Sequence, residues 1–212
     1  MRLRFRFVLW LAAFCLLSAQ SQAFAATPAS ETIAGLNAKF LDVMKNGDTL
    51  GYAGRYKELA PVLNQTFDFR EMARVSAGRY WNEMSDAQKK DLVDAFTSYS
   101  VATYAARFKS FSGQKFEVLG EEPGPRNSVR VNNQIVRSNG EPIRIDYLMR
   151  DSDSDGGLKV VDVYLKSSIS ELATRRSEFG SVLGKSGVDG LVTALKQKVD
   201  ELEREGQTAS AE

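Results

Sequence analysis

The sequence predicts an α+β fold in which several helices pack against one antiparallel sheet of roughly four strands. Apolar residues recur at helical spacing before residue 110 and after residue 168, whereas they alternate with polar residues between 115 and 165. Strands grouped between two runs of helices favour α+β over the alternating order that builds parallel sheets. The 212 residues are enough for one domain with its own core.

The amino terminus has the pattern of a cleaved signal peptide. Three arginines precede an apolar run over residues 7–17, and Ala23 and Ala25 supply an A-x-A exit. The run is shorter than the roughly 20 apolar residues that a transmembrane helix needs. We therefore expect the chain to be exported as a soluble protein. The predicted parts of the chain are residues 1–25 as signal peptide, 26–205 as a single domain and 206–212 as a disordered tail.

Composition excludes several classes of chemistry. The only cysteine, Cys15, lies in the predicted signal peptide, and the chain has no histidine. The mature chain therefore lacks the usual base, nucleophile and zinc ligands, and it cannot form a disulfide. Removing the three arginines of the signal leaves 25 basic and 27 acidic residues, a net charge of −2, which disfavours nucleic acid as a partner. We predict no catalysis, no cofactor and no metal centre.

Four helical segments precede the strands, because their apolar residues recur every three or four positions. Asn46-Gly47 should end the first helix, and Pro61 should interrupt or restart the second. Ser85 and Gln88 form a capping box that opens the fourth. The predicted helices cover residues 30–44, 55–65, 67–75 and about 86–108.

The middle of the chain predicts half-buried strands. Asn139-Gly140 indicates a hairpin, because a type I′ turn needs two successive residues with positive φ. After the strands, Ser168 and Glu171 match a second capping box, and Ser186 or Asp189 would cap the last helix. The apolar residues that alternate are Phe116, Val118, Val129, Val131, Ile135, Ile143, Ile145, Tyr147 and Met149, followed by a fourth strand over 158–165.

The chain has 19 phenylalanines and tyrosines, and many fall on faces predicted to point inward. Ordinary core packing would explain them. The alternative is that they form the wall of a ligand cavity, where rings shape the space and hydroxyls fix its mouth. The adjacent Arg175 and Arg176 are typical of a solvated helix face but could meet a lipid headgroup or a partner.

One loop resembles the start of a calcium site. Asp151, Asp153, Asp155 and Gly156 have the spacing of an EF-hand loop, with Asp162 at its twelfth position. The flanking segments read as strands, however, and the twelfth residue is not a bidentate Glu. A solvated hairpin loop explains the same residues, so calcium binding stays open.

Five short motifs follow one another along the chain. They are F-x-x-Y-x-x-x-x-Y at Phe96, Tyr99 and Tyr104, I-x-Y-x-M at Ile145, Tyr147 and Met149, K-V-V-D-V at 159–163, R-x-E-F at 176–179 and G-V-D-G-L at 187–191. In this order, over about residues 32–202, they resemble the MlaC family of periplasmic lipid carriers, also called toluene-tolerance proteins. The segment 169–179 looks closest to the hopanoid-associated HpnM branch. The chain departs from the family at Leu158, usually Trp, and at Ser167-Ser168, where Gly is common.

The resemblance implies an apolar cavity for acyl chains between sheet and helices. It implies a periplasmic protein that shuttles phospholipid or hopanoid-type lipid between an inner-membrane ABC transporter complex and an outer-membrane complex, maintaining outer-membrane asymmetry. Each CH₂ exposed to water costs about 0.8 kcal/mol, so the crossing needs shielding but no catalytic group. From pattern and resemblance together, the lipid-binding candidates are Phe96, Tyr99, Tyr104, Phe108, Ile145, Tyr147, Val163 and Tyr164.

Two other functions stay open. An exported adaptor with a filled core would bind only the protein partners of a membrane transport complex. An enzyme acting through Asp or Glu is the least supported, because neighbouring acids such as Glu121 and Glu122 point apart on a strand.

Overall fold

The computed structural model of the protein describes residues 27–152 and 156–208. In this part of the chain, five helices pack against an open five-stranded antiparallel sheet, which confirms the predicted α+β fold. The predicted signal peptide lies outside the described residues. The elements are α1 (Pro28–Lys45), α2 (Gly47–Thr66), α3 (Phe69–Ala77), a 3₁₀ helix (Gly78–Glu83), α4 (Asp86–Arg107), β1 (Lys115–Gly124), β2 (Ser128–Val136), β3 (Pro142–Asp151), β4 (Leu158–Leu165), β5 (Ile169–Ser170) and α5 (Glu171–Thr208).

The sheet is a meander in which each strand is antiparallel to the next, in the order β1-β2-β3-β4-β5. Val131, Tyr147 and Val163 lie in register across β2, β3 and β4 and are all buried. Because alternate side chains share a face, these strands present continuous apolar rows to the helices. The two-residue β5 adds a short edge to the four predicted strands.

The helices bury the apolar faces that their spacing predicted. Ile33, Leu36 and Phe40 of α1 are at most 1% exposed, and α1 contacts β1 and β2. Helices α2 and α3 contact β4, while α5 packs against α4 and α3. The capping box of Ser85 and Gln88 is present at the start of α4. The interior therefore lies between the sheet and the helices.

The second helix differs from its prediction. The expected break at Pro61 is wrong, because α2 begins at Gly47 and continues through Pro61 to Thr66. Its kink lies instead at Gly51, whose φ of 58° glycine adopts readily. Helix α3 starts two residues later than expected because Phe67 forms a β-bridge with Val160.

The turns also differ in type. The β2–β3 hairpin is confirmed, but the type I′ turn at Asn139-Gly140 is wrong, since only Gly140 has positive φ, 84°. The Arg137 amide donates to the Glu141 carbonyl at 3.0 Å and closes a longer loop. The paired positive φ values of a type I′ turn occur at Arg126–Asn127 and Lys166–Ser167, between β1 and β2 and between β4 and β5.

The last helix starts at a different cap. Ser170, not Ser168, accepts a hydrogen bond from the Ala173 amide at 3.0 Å and donates to Asp162 at 2.6 Å. The two helices predicted after the strands are joined as α5, with a kink at Gly187, whose φ is 65°. Helix α5 extends through Thr208, three residues into the predicted tail, and residues 209–212 lie outside the described part.

Among residues 27–152 and 156–208, no helix combines the length and apolar character needed to cross a bilayer.

Candidate functional site

An apolar cavity of about 110 Å³ lies between the sheet and the helices. Strands β3 and β4, helices α3 and α4, and the first turns of α5 all contribute to its wall. Most of its lining side chains are aromatic or aliphatic. The cavity is therefore a candidate site for an apolar ligand.

The sheet side of the cavity is formed by two rows of paired residues. Tyr147 pairs with Val163, and Ile145 pairs with Leu165, and all four line the cavity. The ring of Tyr147, only 1% exposed, lies edge-on to Phe67 with centroids 6.4 Å apart. This wall follows directly from the alternation of side chains along β3 and β4.

The opposite wall consists mainly of aromatic rings from the end of α4. Tyr104 and Phe108 stack with centroids 5.9 Å apart, and both also stack on Phe40 behind them, at 5.3 and 4.2 Å. Nearer the start of α4, the ring of Phe96 packs edge to face on Phe69, with centroids 6.2 Å apart. Aromatic packing of this kind fixes the orientation of the rings that face the cavity.

Two hydroxyls on α4 are satisfied by their own helix. Ser100 and Thr103 line the cavity, and each donates a hydrogen bond of 2.8 Å to the backbone carbonyl four residues earlier. Each bond uses the only proton of its hydroxyl, so neither side chain can donate to a ligand at the same time. The wall beside them therefore stays largely apolar.

Charged groups gather at the mouth, where Arg107, Glu171 and Arg175 contribute to the lining. Arg175 donates to the Tyr99 hydroxyl at 2.8 Å, and its guanidinium lies 4.7 Å from the centre of that ring. Arg175 also pairs with Glu171 at 3.8 Å and Glu178 at 3.3 Å. Arg107 is exposed and makes no ion pair or hydrogen bond with the rest of the described chain. At the mouth, Arg175 is therefore already paired, whereas Arg107 is available to a ligand.

The structure brings most of the predicted candidates together. Tyr99 lies beside the mouth, where it contacts Arg175 rather than the cavity itself. Tyr164 does not line the cavity, because it follows Val163 on β4 and points to the other face, where Arg130 lies 4.1 Å above its ring. The six candidates that line the cavity are Phe96, Tyr104, Phe108, Ile145, Tyr147 and Val163.

Several lining residues were not predicted. Leu165 had a sequence signal, because it alternates with Val163 on the same strand. Phe67 and Phe69 were assigned to the first turn of a helix, with nothing to distinguish a core face from a cavity face. Arg107 is one of many exposed basic residues, and only the fold places it at the mouth.

A second groove, of about 290 Å³, lies on the other side of the sheet near Tyr164. Its lining is more polar and includes Arg126, Arg150 and Arg176. Arg150 already donates to Glu71 at 2.7 Å. A groove of this polarity is a poorer match to a hydrocarbon chain than the cavity.

Within the described residues, no group of three or more acids, histidines or cysteines is placed to hold a metal ion. The possible calcium loop includes Asp153 and Asp155, which lie outside the described residues. Calcium binding there stays a prediction.

Comparisons with known proteins identify similar chains. A family model described as "MlaC protein" matches residues 35–197. The chain is 26% identical over 126 residues to the intermembrane phospholipid transport system binding protein MlaC of Haemophilus influenzae. That alignment covers 58% of this chain and 58% of the relative.

A solved structure has the same fold. The phospholipid-binding protein of Ralstonia solanacearum, determined in complex with a phospholipid, superposes with a TM-score of 0.68 at 24% sequence identity. The match covers 82% of this chain and 98% of that one.

Proposed function

This chain belongs to the MlaC family, and from that premise we propose that it is a periplasmic carrier that moves phospholipid or hopanoid-type lipid between the inner and outer membranes. It would collect lipid at one membrane complex, shield the acyl chains and release the lipid at the other. No step in this cycle needs a catalytic group, so the proposal involves no enzymatic activity.

The observation that carries the proposal is an apolar cavity whose charged groups lie at its mouth. Tyr147, Val163 and Phe108 surround the interior, whereas Arg107 and Arg175 lie where a headgroup would meet solvent. A diacyl lipid has the same division between apolar chains and a charged end. Burying its chains offsets a cost of about 0.8 kcal/mol for each CH₂ that would otherwise meet water.

The comparisons support this assignment at two points. The relative from Haemophilus influenzae is named as the binding protein of a phospholipid transport system. The protein from Ralstonia solanacearum, which shares the fold, was solved with phospholipid bound. An inner-membrane ABC transporter complex and an outer-membrane complex would be the partners of such a carrier.

The volume of the cavity implies that loading is accompanied by expansion. About 110 Å³ is well below the 300–1,000 Å³ typical of ligand sites. Lipid entry would therefore require α4 and the start of α5 to separate from β3 and β4. The kink at Gly187 would let the first half of α5 move without the second.

Native mass spectrometry of protein purified from its own periplasm tests the proposal. We expect a bound mass that denaturing extraction identifies as phospholipid or hopanoid. A transfer assay should then show that the loaded protein delivers this lipid to acceptor vesicles. Protein that stays free of lipid under gentle conditions, and cannot be loaded from vesicles, would contradict the proposal.

The small cavity also favours a second candidate, an adaptor that binds only protein partners of a transport complex. In an adaptor, the interior would stay closed and its rings would serve only as core. The same experiment separates the two, because an adaptor would carry no lipid yet still bind the membrane complexes.

A further inference from the structure

Two tyrosines contribute hydroxyls to the mainly apolar lining of the cavity. Tyr147 is 1% exposed, and both Tyr147 and Tyr104 line the cavity. Within residues 27–152 and 156–208, no hydrogen bond joins either hydroxyl to another group of the protein. Burial raises the pKa of both groups above the ordinary tyrosine value, so each keeps its proton. Each is therefore an available hydrogen-bond donor at the cavity wall.

The Tyr104 hydroxyl interacts with the charged groups of the mouth. Tyr104 is one helical turn before Arg107 on α4, and its hydroxyl is close enough to Arg107, Glu171 and Arg175 to interact electrostatically with all three. Tyr147 interacts in turn with Tyr104. The rest of the lining is mainly hydrocarbon and aromatic. The cavity thus offers a guanidinium, two phenols and an apolar wall.

Building on the proposed carrier function, we propose that Tyr104 and Tyr147 donate hydrogen bonds to the ester carbonyl oxygens of a glycerophospholipid whose phosphate meets Arg107 at the mouth. Such a lipid has a phosphate, two ester carbonyls and alkyl chains, and the cavity lining supplies a matching group for each. Arg107 is the natural phosphate contact, because Arg175 is shared among Tyr99, Glu171 and Glu178. The hydroxyls therefore determine specificity for ester-linked lipid.

This assignment separates the two classes of cargo. A hopanoid hydrocarbon or a dialkyl ether lipid can fill the apolar interior but has no ester carbonyl to accept from Tyr104 or Tyr147. A net hydrogen bond contributes about 0.5–1.5 kcal/mol, so each hydroxyl should favour an ester by roughly 2- to 12-fold.

The test is a competition between two lipids that differ only in linkage. Delipidated full-length mature protein is offered equal amounts of dipalmitoyl phosphatidylethanolamine and its dihexadecyl ether analogue, and the bound fractions are read by native mass spectrometry. We expect the wild type to prefer the diester by about 10-fold or more, Tyr104→Phe and Tyr147→Phe each to reduce that preference several-fold, and the double variant to abolish it.

Tyr52→Phe is the matched control. Tyr52 is 5% exposed and its hydroxyl is also unpartnered, but it lies on α2 outside the cavity, so the preference should be unchanged. Thermal melts establish that each variant is folded. Equal binding of the two lipids by the wild type, or a preference that survives in the double variant, would overturn the assignment while leaving the carrier intact. Binding of neither lipid would overturn both.

Discussion

Asp146 shows how one buried carboxylate holds an irregular part of the sheet. Asp146 is fully buried on β3. Its carboxylate accepts hydrogen bonds from the backbone amide of Asn133 at 3.1 Å and from the Arg144 guanidinium at 3.0 Å. Neighbouring β1 has a register shift between Val118 and Gly120, opposite Asn133. Asp146 thus supplies a side-chain acceptor where the regular ladder is interrupted.

We expect Asp146→Ala to destabilise the protein by about 1–3 kcal/mol, because the buried backbone amide of Asn133 loses its acceptor and Arg144 loses its carboxylate partner. Urea unfolding followed by circular dichroism would measure the change. Glu141→Ala is the control, since its pair with Arg137 is exposed and should contribute less than about 1 kcal/mol. Equal effects of the two substitutions would refute the role of Asp146.

The elements show how far local sequence determines the fold. The α1 face and the capping box of α4 were predicted because spacing and capping act within a few residues. The positions of kinks and turn types were not, because tertiary contacts select them. Pro61 stays inside α2, for example, while Gly51 carries the kink.

Helix α3 is tied to the sheet by an ion pair that should respond to acid. Glu71 accepts from Arg74 on its own helix and from Arg150 on β3, at 2.6 and 2.7 Å. These hydrogen bonds, Arg74 first, lower the pKa of Glu71 below its ordinary value of 4.5. Because the folded pKa is depressed, the stabilisation is present above about pH 4.5 and is lost as pH falls through the folded value.

We therefore expect Glu71→Gln to lower the free energy of unfolding at pH 7 and to have a smaller effect at pH 3. Urea midpoints for both proteins between pH 3 and pH 7 would give the difference at each pH. Glu141→Gln should show little difference across the range, because its ion pair is exposed. A Glu71→Gln deficit that does not shrink on acidification would contradict the assignment.

Close packing at the start of α2 gives a further prediction. A Cβ on Gly47 would collide with the backbone carbonyl oxygen of Lys109, at a junction where Arg55 also donates to the Gly47 carbonyl at 3.0 Å. Gly47→Ala should therefore cost about 1–3 kcal/mol. Gly35→Ala is the control, because Gly35 lies within α1 with open space around it, and alanine should stabilise that helix by about 0.5–1 kcal/mol. Chemical denaturation should show that Gly47→Ala lowers the free energy of unfolding and that Gly35→Ala raises it. No change in stability for Gly47→Ala would refute the prediction.

At the scale of the whole molecule, the cavity depends on how distant elements meet. Ile145 and Tyr147 could be predicted because one strand fixes their common face. Whether rings such as Phe67 fill a core or border a space depends on how α3, α4 and the sheet pack. The alternation of side chains along β4 also placed Leu165, not Tyr164, on the same face as Val163. Tyr164 was chosen instead because it is aromatic.

Tyr147 tests whether this interior is a binding cavity or a filled core. In a filled core, Tyr147→Ala should cost roughly 3–5 kcal/mol, whereas beside an existing cavity we expect a smaller loss, because fewer packed contacts disappear. A ligand that binds only the folded state stabilises it, by about 2.7 kcal/mol at 100 times its Kd. Tyr147→Ala should therefore also reduce the stabilisation that added phospholipid confers.

Urea unfolding of delipidated protein, with and without phospholipid, measures both effects at once. Leu92→Ala is the control, because Leu92 is fully buried on α4 outside the cavity. It should cost about 2–5 kcal/mol and leave the shift caused by lipid unchanged. If Tyr147→Ala costs as much as Leu92→Ala and lipid does not stabilise even the wild-type protein, the rings around Tyr147 are ordinary core, and the adaptor becomes the better account of this fold.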